Sequence, residues 1–138
     1  MSYFKQSHIV LSVPQSGDIR TLLMDMEYYS SMLNEVIVVK NGLNTDLGSI
    51  PRLLQGIFPK DGKAMFAYIL HDFLYQEGLY TRNMSDDILE EAMEILDVGY
   101  ATRKSVRFGL WTGGGFAWRE HRKNTFKKQL NNNNILKT

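Results

Sequence analysis

Apolar and polar positions follow two different periods along the chain, and the change falls near residue 44. Before it, short β-rich runs alternate with turn clusters. "HIVLSV" (residues 8–13) stops at Pro14 and is followed by the turn residues of "PQSGD". In "IRTLLMDMEYYS" (19–30), Leu22, Met24, Met26 and Tyr28 interleave with Leu23, Asp25 and Glu27. That alternation turns the acids to one face of a strand and apolar side chains to the other. "EVIVVKNG" (35–42) is a β-branched run closed by Asn41-Gly42. Three such runs predict an antiparallel sheet or meander.

After residue 44 the spacing becomes helical. In "NTDLGSIPR" (44–52), Ser49 or Asp46 is suited to cap a short helix with Pro51 in its first turn, where a missing N–H costs nothing. "RLLQGIF" extends this for a turn or two, up to Pro59. Asp61 is expected to cap a longer helix over 62–76. There Ala64, Ala67, Tyr68, His71, Leu74 and Tyr75 recur on one face, and Gly78 follows as a stop. The next helix is expected to start near Asn83 or Ser85. Ile88, Ala92, Ile95 and Leu96 form its apolar stripe, with Asp86, Asp87, Glu90 and Glu91 toward its dipole-favoured N-terminal end. Gly99 separates it from a third helix over 100–111. "TGGG" (112–115) reads as a flexible or unusually tight break, "FAWREHRKNTFKKQ" as resumed helix, and "LNNNNILKT" as a tail without structure. The order of strands then helices predicts an α+β fold: an N-terminal antiparallel β-sheet of about three strands followed by three to four packed α-helices. Residues 1–130 form a single domain and 131–138 a polar flexible tail.

Composition narrows the function classes. At 43% hydrophobic and 22% charged, 138 residues suffice for one ordinary core. A net charge of +1 does not favour nucleic acid, and no nucleic-acid partner is expected. The basic run from Arg119 to Lys128 is broken by Glu120 and reads as a solvated face. The chain has no cysteine, which excludes disulfides and thiolate metal sites and fits a reducing compartment. The apolar N-terminal run is too short for a signal peptide or membrane span, so a soluble, non-exported protein is expected. "GLWTGGG" lacks the Gly-Lys-Ser/Thr close of a phosphate loop, and Trp111 and Trp118 read as core.

The chemistry gathers in "AYILHDFLY" (67–75), which places His71 and Asp72 in an otherwise apolar helix with Tyr68 and Tyr75 one turn away. Adjacent helical residues point about 100° apart, so each of the pair needs a partner elsewhere. Imidazole is the usual general base near neutral pH, and it needs an orienting acceptor. Asp86, opening the next helix, is the candidate, since helices joined by a short loop pack side by side. Asp72 is then free for a cation or an arginine. Asp46, Ser49 and Arg52 offer a carboxylate, a hydroxyl and a guanidinium from one loop, and Asp46 and Asp72, with Asp86, could hold a hard cation such as Ca or Mg. Arg82, one turn before Asp86, can pair with Asp86 or Asp72. Each has a plainer reading: a satisfied core histidine, helix-start chemistry, an exposed charge.

The series "VVKNGLNTDLGSIPR", "AYILHDFLY" and "TRNMSDDILEEAM" resembles a phage- and prophage-borne family, domain of unknown function 1353. The matching positions are Gly42, Thr45, Asp46, Leu47, Ser49, Pro51 and Arg52, then His71, Asp72, Leu74 and Tyr75, then Arg82, Asp86, Ala92 and Met93. The family's proline before the glycine segment is replaced here by Lys40. The resemblance implies a phage or prophage gene and carries no assigned activity. The His-Asp-x-x-Tyr helix with a distant aspartate is also similar, more weakly, to secreted phospholipases. That likeness implies His71 as base, Asp72 as calcium ligand and Asp86 as orienter. The chain departs from that pattern in having no cysteines and no glycine-rich calcium loop before the helix.

Two readings follow. One is a small hydrolase with catalytic His71, Asp86 and Ser49, substrate-binding Arg52, Tyr75 and Arg82, and a cation on Asp72 and Asp46. The alternative is a non-enzymatic virion component or an adaptor binding a phage or host protein, its polar cluster structural. The expected location is the host cytoplasm or the virion.

Overall fold

The computed structural model describes residues 1–15, 19–45 and 64–136. Its order is β1 (Tyr3–Phe4), β2 (Arg20–Thr21), β3 (Met26–Ser30), β4 (Glu35–Val39), β5 (Asn44–Thr45), then α1 (Met65–Glu77), α2 (Arg82–Ile95) and α3 (Tyr100–Leu136). This is the expected α+β architecture, with the antiparallel strands in two small sheets: β1-β3-β4, and β2 with β5.

The central hairpin pairs Met26 with Val39 and Tyr28 with Ile37, so the expected alternation buries Met26 and Tyr28 while Leu23 is exposed. Two strand expectations are corrected. Residues 19–30 are not one strand: the ladder breaks at Asp25, whose carboxylate leaves the sheet to accept from Asn41 N (2.9 Å), Asn41 Nδ2 (3.0 Å) and Lys40 Nζ (3.1 Å). Residues 8–13 contribute only a bridge between Leu11 and Leu22, and the third strand beside the hairpin is Tyr3–Phe4. Phe4 holds that edge by packing on Tyr28 (4.6 Å) and Phe66 (5.4 Å).

The sheet's inner face, with Tyr28, Ile37 and Val39, joins Ile69, Leu70 and Leu74 of α1, Ile88 and Met93 of α2, and Val106 and Leu110 of α3 in one core. Helix α1 ends at Gly78, as expected, in the left-handed conformation (φ 62°). Helix α2 starts earlier than expected because Thr81, in extended conformation, caps it by accepting from Met84 N at 3.2 Å. The third helix contradicts two expectations. It runs unbroken through Thr112–Gly115 and continues through the asparagines to Leu136. Acidic α2 and basic α3 meet through Lys104–Glu90, Arg107–Asp87 (2.7 Å) and Arg107–Asp86 (3.2 Å). Among the described residues, no helix is long and apolar enough to cross a membrane.

Candidate functional site

Asp86 is the centre of the site. The turn from Gly78 to Thr81 folds α2 back along α1, bringing Asp86 beneath His71, and both are buried. Asp86 Oδ1 lies 2.8 Å from His71 Nε2 and accepts from the Tyr75 hydroxyl at 2.6 Å. Its Oδ2 faces Arg107. A buried carboxylate needs this many donors, because each unmet lone pair would carry its full desolvation cost. The carboxylate only accepts, so the bond selects the tautomer with hydrogen on Nε2 and leaves Nδ1 as the acceptor. Among the described residues Nδ1 has no hydrogen-bond partner.

Tyr75 belongs to the same unit. Its ring packs on His71 at 4.2 Å, as the four-residue spacing predicts. Burial, reinforced by the bond to Asp86, holds its phenol well above the ordinary tyrosine value, against the opposing pull of Arg82. Tyr75 therefore acts as a neutral donor. On its other side Trp118 meets it edge-on at 5.2 Å.

Asp72 points elsewhere, as adjacency in a helix requires. It accepts a hydrogen bond from the Thr45 hydroxyl. One turn on, Gln76 Nε2 donates to the Asn44 carbonyl at 2.9 Å. The end of β5 is thus fastened to the helix that carries the His-Asp pair. Thr45 immediately precedes Asp46, but Asp46, Ser49, Arg52 and the expected cap Asp61 lie outside the described residues. Among the described residues, no three His, Asp or Glu side chains are grouped closely enough to hold a metal ion.

Arg82 crosses to α3 and donates to the carbonyls of Leu110 (2.6 Å) and Trp111 (3.3 Å). This close approach accounts for Gly114 and Gly115. A Cβ on Gly115 would lie 3.1 Å from Arg82, and one on Gly114 would lie 3.2 Å from the Tyr75 hydroxyl. The run that read as a break is where α3 packs closely against Arg82 and Tyr75.

A cavity of about 30 Å³ opens beside the dyad, with His71, Asp72 and Tyr75 on one wall and Leu110, Gly114, Ala117 and His121 of α3 on the other. That volume holds a water molecule or two at roughly 10–15 Å³ each.

Sequence reasoning missed Arg107 and His121, and it picked out Thr45 only as a position of the family pattern, without its bond to Asp72. Arg107 was signalled by the Arg103–Arg107 spacing opposite an acidic helix. His121 lies at helical spacing from Gly114 and Ala117, a register hidden once the glycines are read as a break.

Residues 20–109 match the family described as protein of unknown function (DUF1353). The chain belongs to that family. The match covers most of the chain and includes β2 to β5, α1, α2 and the start of α3. Comparisons with curated proteins and with solved structures find no significant match.

Proposed function

We propose that this member of the family is a small hydrolase of a phage or prophage in which His71 activates a water molecule. The observation that carries the reading is the His71–Asp86 geometry. The carboxylate holds Nε2 at 2.8 Å, so the free lone pair is on Nδ1 of an imidazole that borders a water-sized cavity. An oriented imidazole with one nitrogen committed and the other available is what general-base catalysis requires. Tyr75 holds Asp86 in place, and its ring lines the same cavity. Asp72 borders the cavity and, with Asp46, would bind Ca or Mg. Ser49 and Arg52 would meet the substrate.

The test compares wild type with His71→Ala on ester, amide and phosphodiester panels, with Ca, with Mg and with chelator. Turnover by wild type is expected, lost by about 100-fold or more in the variant while its circular dichroism and urea midpoint are kept. Chelation is expected to slow wild type, and adding back the cation to restore it. No wild-type turnover on any panel would end the hydrolase reading.

One observation favours the alternative, a virion component or host-binding adaptor with a structural polar cluster. Asp86 is only 2% exposed and has three donors, as in a network that specifies how helices pack. On that reading His71→Ala unfolds the protein, and mass spectrometry of purified virions finds the chain at fixed stoichiometry.

A further inference from the structure

We infer that the outward face of α3 docks on an anionic lipid bilayer. The inference is independent of the hydrolase reading, because it concerns the side of α3 turned away from the cavity. Val106, Leu110, Gly114, Ala117 and His121 follow one another at steps of four, four, three and four residues and line the cavity. Two residues on, about 200° around the helix, a second stripe takes the same steps and faces outward. It runs from Phe108 through Phe116, Arg119, Lys123 and Phe126 to Leu130, a length of roughly 33 Å at the helical rise. Phe108, Phe116 and Phe126 are 62–68% exposed, and Leu130 is exposed as well. Trp111, packed on Phe108 at 6.0 Å, adds another exposed ring at the flank. Three phenylalanines on the outside of one helix leave a large apolar area in water.

Charge says what covers that area. Arg119 and Lys123 stand between the rings, with Lys127 beside Phe126, and all three are exposed. Residues 116–136 hold five lysines and arginines against one acid, Glu120, which meets Lys123 at 3.4 Å. Of the five, Arg122 turns inward to Trp118 and the end of α1. The outward face is therefore apolar and cationic together, and its complement is apolar and anionic. A second copy of the chain does not fit, since its cations would meet these.

An anionic bilayer does fit. The rings enter the boundary between headgroups and acyl chains, while the longer lysine and arginine side chains reach back to the headgroup phosphates. Nucleic acid offers phosphates too, but single strands are held by stacking bases on aromatic rings in a groove, and Leu130 has no ring to stack. A straight helix also suits a flat surface. From Phe126 to Asn134 every residue is exposed, so the end of α3 extends past the packed body and meets the bilayer unshielded.

The experiment sediments the full chain with vesicles of phosphatidylcholine alone and of equimolar phosphatidylglycerol and phosphatidylcholine. Wild type is expected to pellet with the anionic vesicles, to stay in solution with the neutral ones, and to be released by high salt. Arg119→Gln combined with Lys123→Gln and Lys127→Gln should weaken binding by about 30-fold or more. Phe116→Gln combined with Phe126→Gln should weaken it by about tenfold or more. Lys128→Gln, one heptad after the inward-facing His121, should leave it nearly unchanged. No pelleting with anionic vesicles, equal pelleting with neutral ones, or unchanged affinity in the phenylalanine variant would overturn the inference. So would tighter binding to single-stranded DNA that the same variants lose, which makes the face a nucleic-acid site. A dimer in sedimentation equilibrium that the phenylalanine variant dissociates would overturn it in favour of a second copy. If the phenylalanine variant does not fold, Leu130→Gln, beyond the packed body, serves in its place.

Discussion

One carboxylate sets the character of the site. Asp86 is nearly sealed and receives a ring nitrogen, a phenol and a guanidinium, so its substitution should be felt by all three. Asp86→Asn keeps the shape but removes the charge that Arg107 and His71 face. It is expected to cost about 3–5 kcal/mol in urea denaturation, the usual penalty for breaking a buried pair. Tyr75→Phe removes one donor and leaves the dyad, so about 1–3 kcal/mol is expected by the same measurement. Near-equal small effects from both variants would mean that Asp86 is less isolated from water than its burial indicates.

At the scale of elements, the end of α1 is where helix geometry and the site depend on each other. Gly78 ends the helix at φ 62°, and its backbone N–H donates to the Leu74 carbonyl. Arg122 fills the space that a side chain there would need: a Cβ would fall 1.1 Å from its guanidinium. Arg122 in turn neutralises the carbonyl end of α1, where the helix dipole favours a cation. Gly78→Ala therefore combines an unfavourable left-handed conformation with displacement of Arg122. The expected loss is about 1–3 kcal/mol in thermal or urea unfolding. The variant should also weaken the Arg122–Trp118 stack, read as a change in tryptophan fluorescence. An unchanged midpoint and spectrum would show that Arg122 does not hold α3 in place.

Across the whole molecule, three buried tyrosines tie sheet and helices together and give stability a predictable pH dependence. Burial, the largest cause in each, holds the phenols of Tyr28, Tyr68 and Tyr75 above the ordinary value of 10.0. Bonds to Glu91 and Asp86 add to the rise at Tyr28 and Tyr75. An acid whose folded-state pKa is raised keeps its proton longer in the folded chain than in the unfolded one. Its stabilising effect is therefore complete below about pH 10 and is lost as pH rises further. Urea midpoints are expected to hold between pH 7 and 9 and to fall steeply above pH 10. The fall should be shallower in Tyr75→Phe, which cannot ionise there. A profile of equal slope in that variant would show that Tyr75 is not among the groups responsible.

The sequence alone determined what depends on neighbours along the chain: the α+β order, the Gly78 stop, the faces of the β3–β4 hairpin, and the pairing of His71 with an acid from the next helix. Period and turn chemistry are local, and two helices joined by a short turn have few ways to pack. Tertiary structure decided the rest. Glycine's helix penalty predicted a break at residues 112–115, but there α3 must pass within reach of Arg82 and Tyr75, and packing outweighs a cost of about 1 kcal/mol per glycine. The same packing places Arg107 on Asp86 and His121 on the cavity wall, and Thr45 reaches Asp72 from the sheet side. These residues meet across distances along the chain that no local pattern records, because only burial of a shared core brings their elements together.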